Sequence, residues 1–165
     1  LHVSEGLVGR GWRFGYGRRF KDYPNRFALL YDYAYHSRLI QENNHRLELT
    51  DTGVAYLTEE RKEPMIQFVR FWLRLYKGPI PNLLSLVYWI VCCSKEWVTV
   101  SSLFERVEPL IKPFFYDSPA SIFEERILQM MLHLGMVRFG EDEQRERYVQ
   151  ASPFGKQAVQ QIHKG

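Results

Sequence analysis

The sequence predicts a mainly α fold with short β-hairpins, built as two similar units in tandem, and three observations carry that expectation. Two stretches echo each other: Leu47-Glu48-Leu49-Thr50-Asp51-Thr52-Gly53-Val54-Ala55-Tyr56-Leu57 and Val149-Gln150-Ala151-Ser152-Pro153-Phe154-Gly155-Lys156-Gln157-Ala158-Val159. Each ends a short apolar strand, puts Thr or Ser at its edge, turns through a Gly three residues on, and enters an apolar helix. Each is also preceded by a helical run, a strand and a polar loop. Finally, 165 residues with 45% apolar content, including eleven Phe, ten Tyr and four Trp, suffice for one or two small cores.

Residues 1–25 hold Gly6, Gly9, Gly11, Gly15, Gly17 and Pro24, and read as loop with one β-hairpin around Trp12 to Tyr16. Arg26 to Ser37, rich in Leu and Tyr, reads as a helix. Arg38 to Gln41 reads as a strand, Glu42 to His45 as a turn, and Arg46 to Leu49 as the returning strand. Asn43-Asn44 between apolar runs is a hairpin signal, because Asn tolerates positive φ. Thr50 or Thr52 is placed to N-cap the next element. A long helix is expected from Glu59 to Tyr76. Its polar stripe of Gln67, Arg70, Arg74 and Lys77 is narrow, which predicts a mostly buried helix bridging the units. Lys77-Gly78-Pro79 stops it, and the boundary between units is expected there, giving residues 1–77 and 78–165.

The second unit reads as complete. Asn82 to Ser94 is a nearly all-apolar helix, and Trp97 to Val100 a short strand. Ser101 or Ser102 then caps a helix running to Ile111. A long turn follows over Lys112 to Pro119, and Ser121 to Leu134 is a third helix stopped by Gly135. Met136 to Phe139 and Arg147 to Gln150 pair as a hairpin with its tip at Gly140 to Glu146, and Phe154 to His163 closes as a helix. Helix, strand, polar loop, strand and exit turn is the order of a winged helix-turn-helix unit. Two of them, the first truncated, make a tandem winged-helix chain. The opening residue is Leu1 rather than Met, which fits either an unusual start codon or, the reading favoured here, a fragment of a longer protein.

The segment Leu49-Thr50-x-x-Gly53-x-x-Tyr56-Leu57 and the helix after it resemble the helicase-associated amino-terminal domain of the XPB type, found in bacterial proteins. That group shows a Leu-Thr-x-x-Gly-x-x-Trp-Leu turn followed by a helix with a Trp. Tyr56 stands in place of the first Trp here, and Trp72 matches the second. Glu96-Trp97-Val98-Thr99-Val100-Ser101 is similar too, so the resemblance covers about residues 47–111, mostly through core-packing positions. It implies a DNA-repair or DNA-processing setting, with no ATPase in this chain.

Net charge is only +3, but its distribution is uneven. Arg10, Arg13, Arg18, Arg19, Lys21 and Arg26 face only Glu5 and Asp22 over residues 1–26, while the rest of the chain is close to balanced. In Gly9 to Lys21 the cations can neutralise phosphates, and Trp12, Phe14, Tyr16 and Phe20 offer faces for unpaired bases. The same alternation also fits a half-buried hairpin with its apolar face inward. No Gly-Lys-Ser/Thr ending makes these glycines a phosphate loop. The expected nucleic-acid contacts are Arg10, Trp12, Arg13, Tyr16, Arg18, Arg19, Lys21, Arg26, Arg38, His45 and Arg46, the last two on the first wing.

The third helix of the second unit, the usual groove reader, carries Glu124, Glu125, Arg126, Gln129 and His133. The wing from Glu141 to Arg147 is net acidic. Both argue against conventional groove binding by this unit and leave protein docking as the rival reading, with exposed aromatics such as Phe114, Phe115 and Tyr116 as its contacts. The five histidines are scattered, and the adjacent pairs Glu59-Glu60 and Glu124-Glu125 diverge on a helix. No metal, cofactor or catalytic function is expected. Cys92 and Cys93, neighbours in an apolar run, read as buried thiols of a reducing cytoplasm. The run from Leu83 to Cys93 spans about 16 Å as a helix, too short for a bilayer, and no membrane association is expected.

Overall fold

The computed structural model describes residues 25–43, 46–113 and 117–163. The expected Trp12–Tyr16 hairpin and the Phe114-Phe115-Tyr116 loop lie outside them. The chain is mainly helical with two small antiparallel sheets. It divides into two compact units between Phe71 and Trp72.

Unit 1 contains α1 (Asn25–His36), β1 (Ile40–Asn43), β2 (Arg46–Leu49), α2 (Asp51–Thr58) and the first part of α3 (Met65–Tyr76). β1 and β2 pair antiparallel from Ile40 opposite Leu49 to Asn43 opposite Arg46. The first strand starts at Ile40 and not at Arg38, because Arg38 and Leu39 are used to stop α1. Arg38 turns left-handed with φ 56°. Its N–H donates to Tyr35 O at 3.0 Å, and Leu39 N–H reaches back to Ala34 O at 2.8 Å. That pair of bonds is a Schellman stop, which satisfies helix carbonyls that have no partner of their own.

The helix expected from Glu59 to Tyr76 forms only from Met65. Glu60, at φ 49°, ends α2 by the same device, with its N–H on Leu57 O and Arg61 N–H on Tyr56 O, both at 3.1 Å. The next helix begins only after Pro64, which lacks an N–H and is tolerated at a helix start rather than inside one. Around α3, Tyr33 packs on Phe68 at 4.4 Å and edge-on to Phe71 at 5.3 Å between ring centroids. With buried Ala28, Leu29 and Val69, these rings form the core of this unit.

Unit 2 holds α4 (Leu83–Cys93), β3 (Val98–Thr99), α5 (Val100–Val107), a 3₁₀ turn at Glu108–Leu110, α6 (Pro119–Ser121), a π-helical stretch (Ile122–Leu128), α7 (Gln129–His133), β4 (Val137–Glu141), β5 (Arg147–Ala151) and α8 (Pro153–His163). Its sheet order is β3-β5-β4, all antiparallel, so the first strand joins the far side of the hairpin. Leu86, Val87, Ile90, Leu103, Phe123, Ile127, Met131, Met136 and Val149 fill the core. Two local expectations change. The cap of α5 is Thr99, whose Oγ1 accepts from Ser102 N–H at 3.1 Å, and not Ser101 or Ser102. The third helix starts at Pro119 under Ser118 Oγ and is π-wound through its middle.

The two echoes fold alike, bond for bond. Thr50 Oγ1 accepts from Gly53 N–H at 3.0 Å and donates to Arg38 O at 2.5 Å. Ser152 Oγ accepts from Gly155 N–H at 2.9 Å and donates to Gly135 O at 2.6 Å. Thr50 N–H donates to Leu39 O, and Ser152 N–H to Met136 O. Gly135, at φ +71°, takes the place of Arg38 in the same Schellman stop, with its N–H on Leu132 O and Met136 N–H on Met131 O. A Cβ on Gly53 would lie 2.0 Å from Leu39 O, and one on Gly155 2.1 Å from Met136 O. Only glycine admits that approach of helix to strand, which is why both echoes carry it.

Candidate nucleic-acid interface

Of the expected contact residues, Arg10, Trp12, Arg13, Tyr16, Arg18, Arg19, Lys21 and His45 lie outside the described residues. Arg26, Arg38 and Arg46 are described, and all three are exposed. They are not brought together. Arg26 opens α1 and Arg38 follows its end, so about 18 Å of helix separates them. Arg46 sits at the hairpin tip opposite Asn43, about 10 Å along the strand from the Ile40 end that Arg38 precedes.

The first hairpin carries two carboxylates, Glu42 and Glu48, and both accept hydrogen bonds. Tyr31 Oη donates to Glu42 Oε1 at 2.7 Å, and Asn43 Nδ2 to Glu48 Oε2 at 3.1 Å. Burial, and then the Glu42 bond, hold the Tyr31 phenol well above its usual range. Burial likewise raises the Tyr33 phenol to about 12, helped by the Glu63 carboxylate, which also accepts from Tyr56 Oη at 2.5 Å.

In unit 2 a cleft of about 480 Å³ opens between the start of α5, the third helix and the β4–β5 hairpin. Val100, Phe104 and Ala120 line it together with Glu124, Arg145 and Glu146. Arg147 ties the β4–β5 hairpin to the third helix by an ion pair with Glu124 at 2.6 Å. Arg126, expected on the exposed face of that helix, is buried instead and paired with Asp117. Burial pulls its guanidinium down and the Asp117 carboxylate pulls it back up. The π winding changes the angular step between residues here, so a regular helical projection misplaces it. Cys92 and Cys93 are free and half-buried rather than buried.

Sequence reasoning missed a cluster on the outer face of the unit 2 sheet. Trp97 just precedes β3 and stays 45% exposed. Its ring covers Gly140, with Cζ3 only 3.3 Å from where a Cβ would stand. The Arg138 guanidinium lies 5.3 Å from the ring centroid. Arg138 is held there by Gln150 Oε1, which accepts from Nε at 3.0 Å and also from Nη2. Gln150 is 8% exposed and donates through Nε2 to Lys95 O at 3.2 Å. The same carbonyl accepts from Lys156 Nζ at 3.1 Å. The available signal was register: Gln150 stands opposite Arg138, and Val98 opposite Val149, which brings Trp97 into line with both.

Among the described residues no group of three His, Cys, Asp or Glu side chains is placed to hold a metal ion, and no helix is long and apolar enough to cross a membrane. Comparison with family models, with curated proteins and with solved structures finds no match to this chain.

Proposed function

We propose that the chain is a non-catalytic, nucleic-acid-associated module of two winged helix-turn-helix units, working within a helicase or DNA-repair assembly in the cytoplasm. The observation that carries this reading is the unit 2 topology. Helix, strand, two helices and a hairpin, with sheet order β3-β5-β4, support the reading. The repeated Schellman stop, cap and close glycine contact support descent of unit 1 from the hairpin half of the same design.

The contact surface we assign is the basic, aromatic amino-terminal segment with Arg26, Arg38 and the first wing. Arg13, Arg18, Arg19 and Lys21 neutralise phosphates, and Trp12 and Tyr16 stack on bases or support their own hairpin. Changing Arg18, Arg19 and Lys21 together to Ala should weaken DNA or RNA binding at low salt and flatten its salt dependence. Unchanged affinity and slope would remove the segment from the interface.

A protein-docking module is the second reading, and the acidic wing favours it. Glu141, Asp142, Glu143 and Glu146 lie at or beside the tip, with Glu124 and Glu125 on the adjoining helix, a surface that repels phosphates. Under that reading, an affinity column of the full chain retains a basic protein partner and no nucleic acid.

A further inference from the structure

We propose that the outer face of the unit 2 sheet at Trp97 and Arg138, together with Lys156 of α8, which shares the Lys95 carbonyl with Gln150, is a binding site for single-stranded nucleic acid. The inference rests on the nucleic-acid reading above and adds a surface that reading does not use. Three features distinguish this face from an ordinary solvated sheet.

The cations are pre-positioned. Gln150 is buried and anchored on Lys95 O, and it fixes the Arg138 guanidinium through two of its five N–H donors. The remaining three are not used in that bond. Lys156 spends one ammonium hydrogen on the same Lys95 carbonyl and keeps two. Ordered side chains lose less entropy on binding an anion than free ones do.

The cations are also unneutralised. Among the described residues the ion pairs are Arg61 with Glu59, Arg126 with Asp117, and Arg147 with Glu124. Arg138, Lys156 and Lys95 take part in none of them. Glu96 is the one carboxylate adjacent in sequence. The acidic wing tip stands about 10 Å further along the hairpin, because Arg138 pairs with Gln150 and Glu141 with Arg147 three residues on. A polyanion is therefore drawn to the Arg138 end and turned away from the tip.

Finally, the site contains a large aromatic that is half exposed without filling a core position. Trp97 rests one side on Gly140, where any side chain would crowd it, and lies against Arg138. Aromatic rings and Arg guanidinium groups both receive unpaired bases by stacking, with phosphates on the flanking cations. A duplex hides its base faces, so an aromatic and guanidinium pair of this kind favours a single strand.

The test is fluorescence anisotropy of labelled oligo(dT) and oligo(U), and of a duplex of equal length, titrated with the full chain over a salt series. Trp97→Ala should weaken single-strand binding by about ten-fold or more and leave duplex binding little changed. Arg138→Gln and Lys156→Gln should each lower the log–log salt slope by about 0.7. Arg138→Lys, which keeps the charge but loses the planar fork, should recover the slope and not the affinity. Thermal melts accompany each variant, and if Trp97→Ala melts early, the surface change Lys156→Gln carries the test through its slope.

If the wild type binds, and the Arg18/Arg19/Lys21 variant weakens it while these substitutions do not, the sheet site is wrong and the proposed function stands. If the wild type binds neither strand nor duplex at low salt, both fall. Equal competition by a poly-glutamate peptide would also overturn the site, making it a dock for acidic protein segments.

Discussion

Arg38 holds a left-handed backbone conformation at φ 56°, which costs an L-residue about 1 kcal/mol relative to glycine. Its counterpart at the same stop in unit 2 is Gly135. An exposed arginine kept at a glycine position is a stability sacrifice that phosphate binding would explain. Arg38→Gly should raise the unfolding free energy of unit 1 by about 1 kcal/mol in denaturant titrations, while DNA affinity at low salt falls. A gain in stability with unchanged affinity would take Arg38 out of the interface. Tyr33 gives a second residue-level expectation. Its proton is held more tightly in the folded protein than in the unfolded chain, with a pKa of about 12 against 10.0. That contribution to stability is whole below pH 10 and lost as pH rises towards 12. Denaturant titrations below pH 10 and near pH 12 should show the loss, and Tyr33→Phe should shrink it. At this scale the sequence was only partly legible. Arg126 looks like a surface cation by composition, and only the π-wound helix and Asp117 make it a buried one.

The exit turn is the element on which the tandem reading stands. Gly53 and Gly155 each bring a helix within contact of a strand carbonyl, and backbone cannot move aside as a flexible side chain can. Gly53→Ala and Gly155→Ala should each cost roughly 3 kcal/mol. Separate domain-resolved melts, for instance by hydrogen exchange, should assign each loss to its own unit. A change tolerated at either glycine would break the equivalence of the two turns. This element was readable because its constraint is chemical and local: a hydroxyl cap, then a residue without Cβ, then a helix. The misses elsewhere share a cause. The helix expected from Glu59 ran through Pro64 on apolar periodicity alone, although proline marks a first turn. The cap of α5 lies two to three residues before the expected Ser101 or Ser102, because Thr99 is both strand end and cap.

At the scale of the whole molecule, charge and topology point to different faces of the two units. The excess of cations lies before Arg26, whereas the third helix and wing of unit 2 carry Glu124, Glu125, Glu141, Asp142, Glu143 and Glu146. A mainly helical fold with short hairpins was legible from the order of elements, since strand and helix periods differ and glycines punctuate them. A binding surface made by convergence was not. Trp97, Arg138 and Lys156 are far apart in sequence, and they are linked only through strand register, the Gln150 side chain and the Lys95 carbonyl. The most direct measurement of the central claim is the affinity of the full chain for labelled single- and double-stranded DNA as a function of salt concentration. The account predicts micromolar binding that falls steeply with salt and favours the single strand. No binding at low salt, or binding indifferent to salt, would contradict it and leave protein docking as the function of these surfaces.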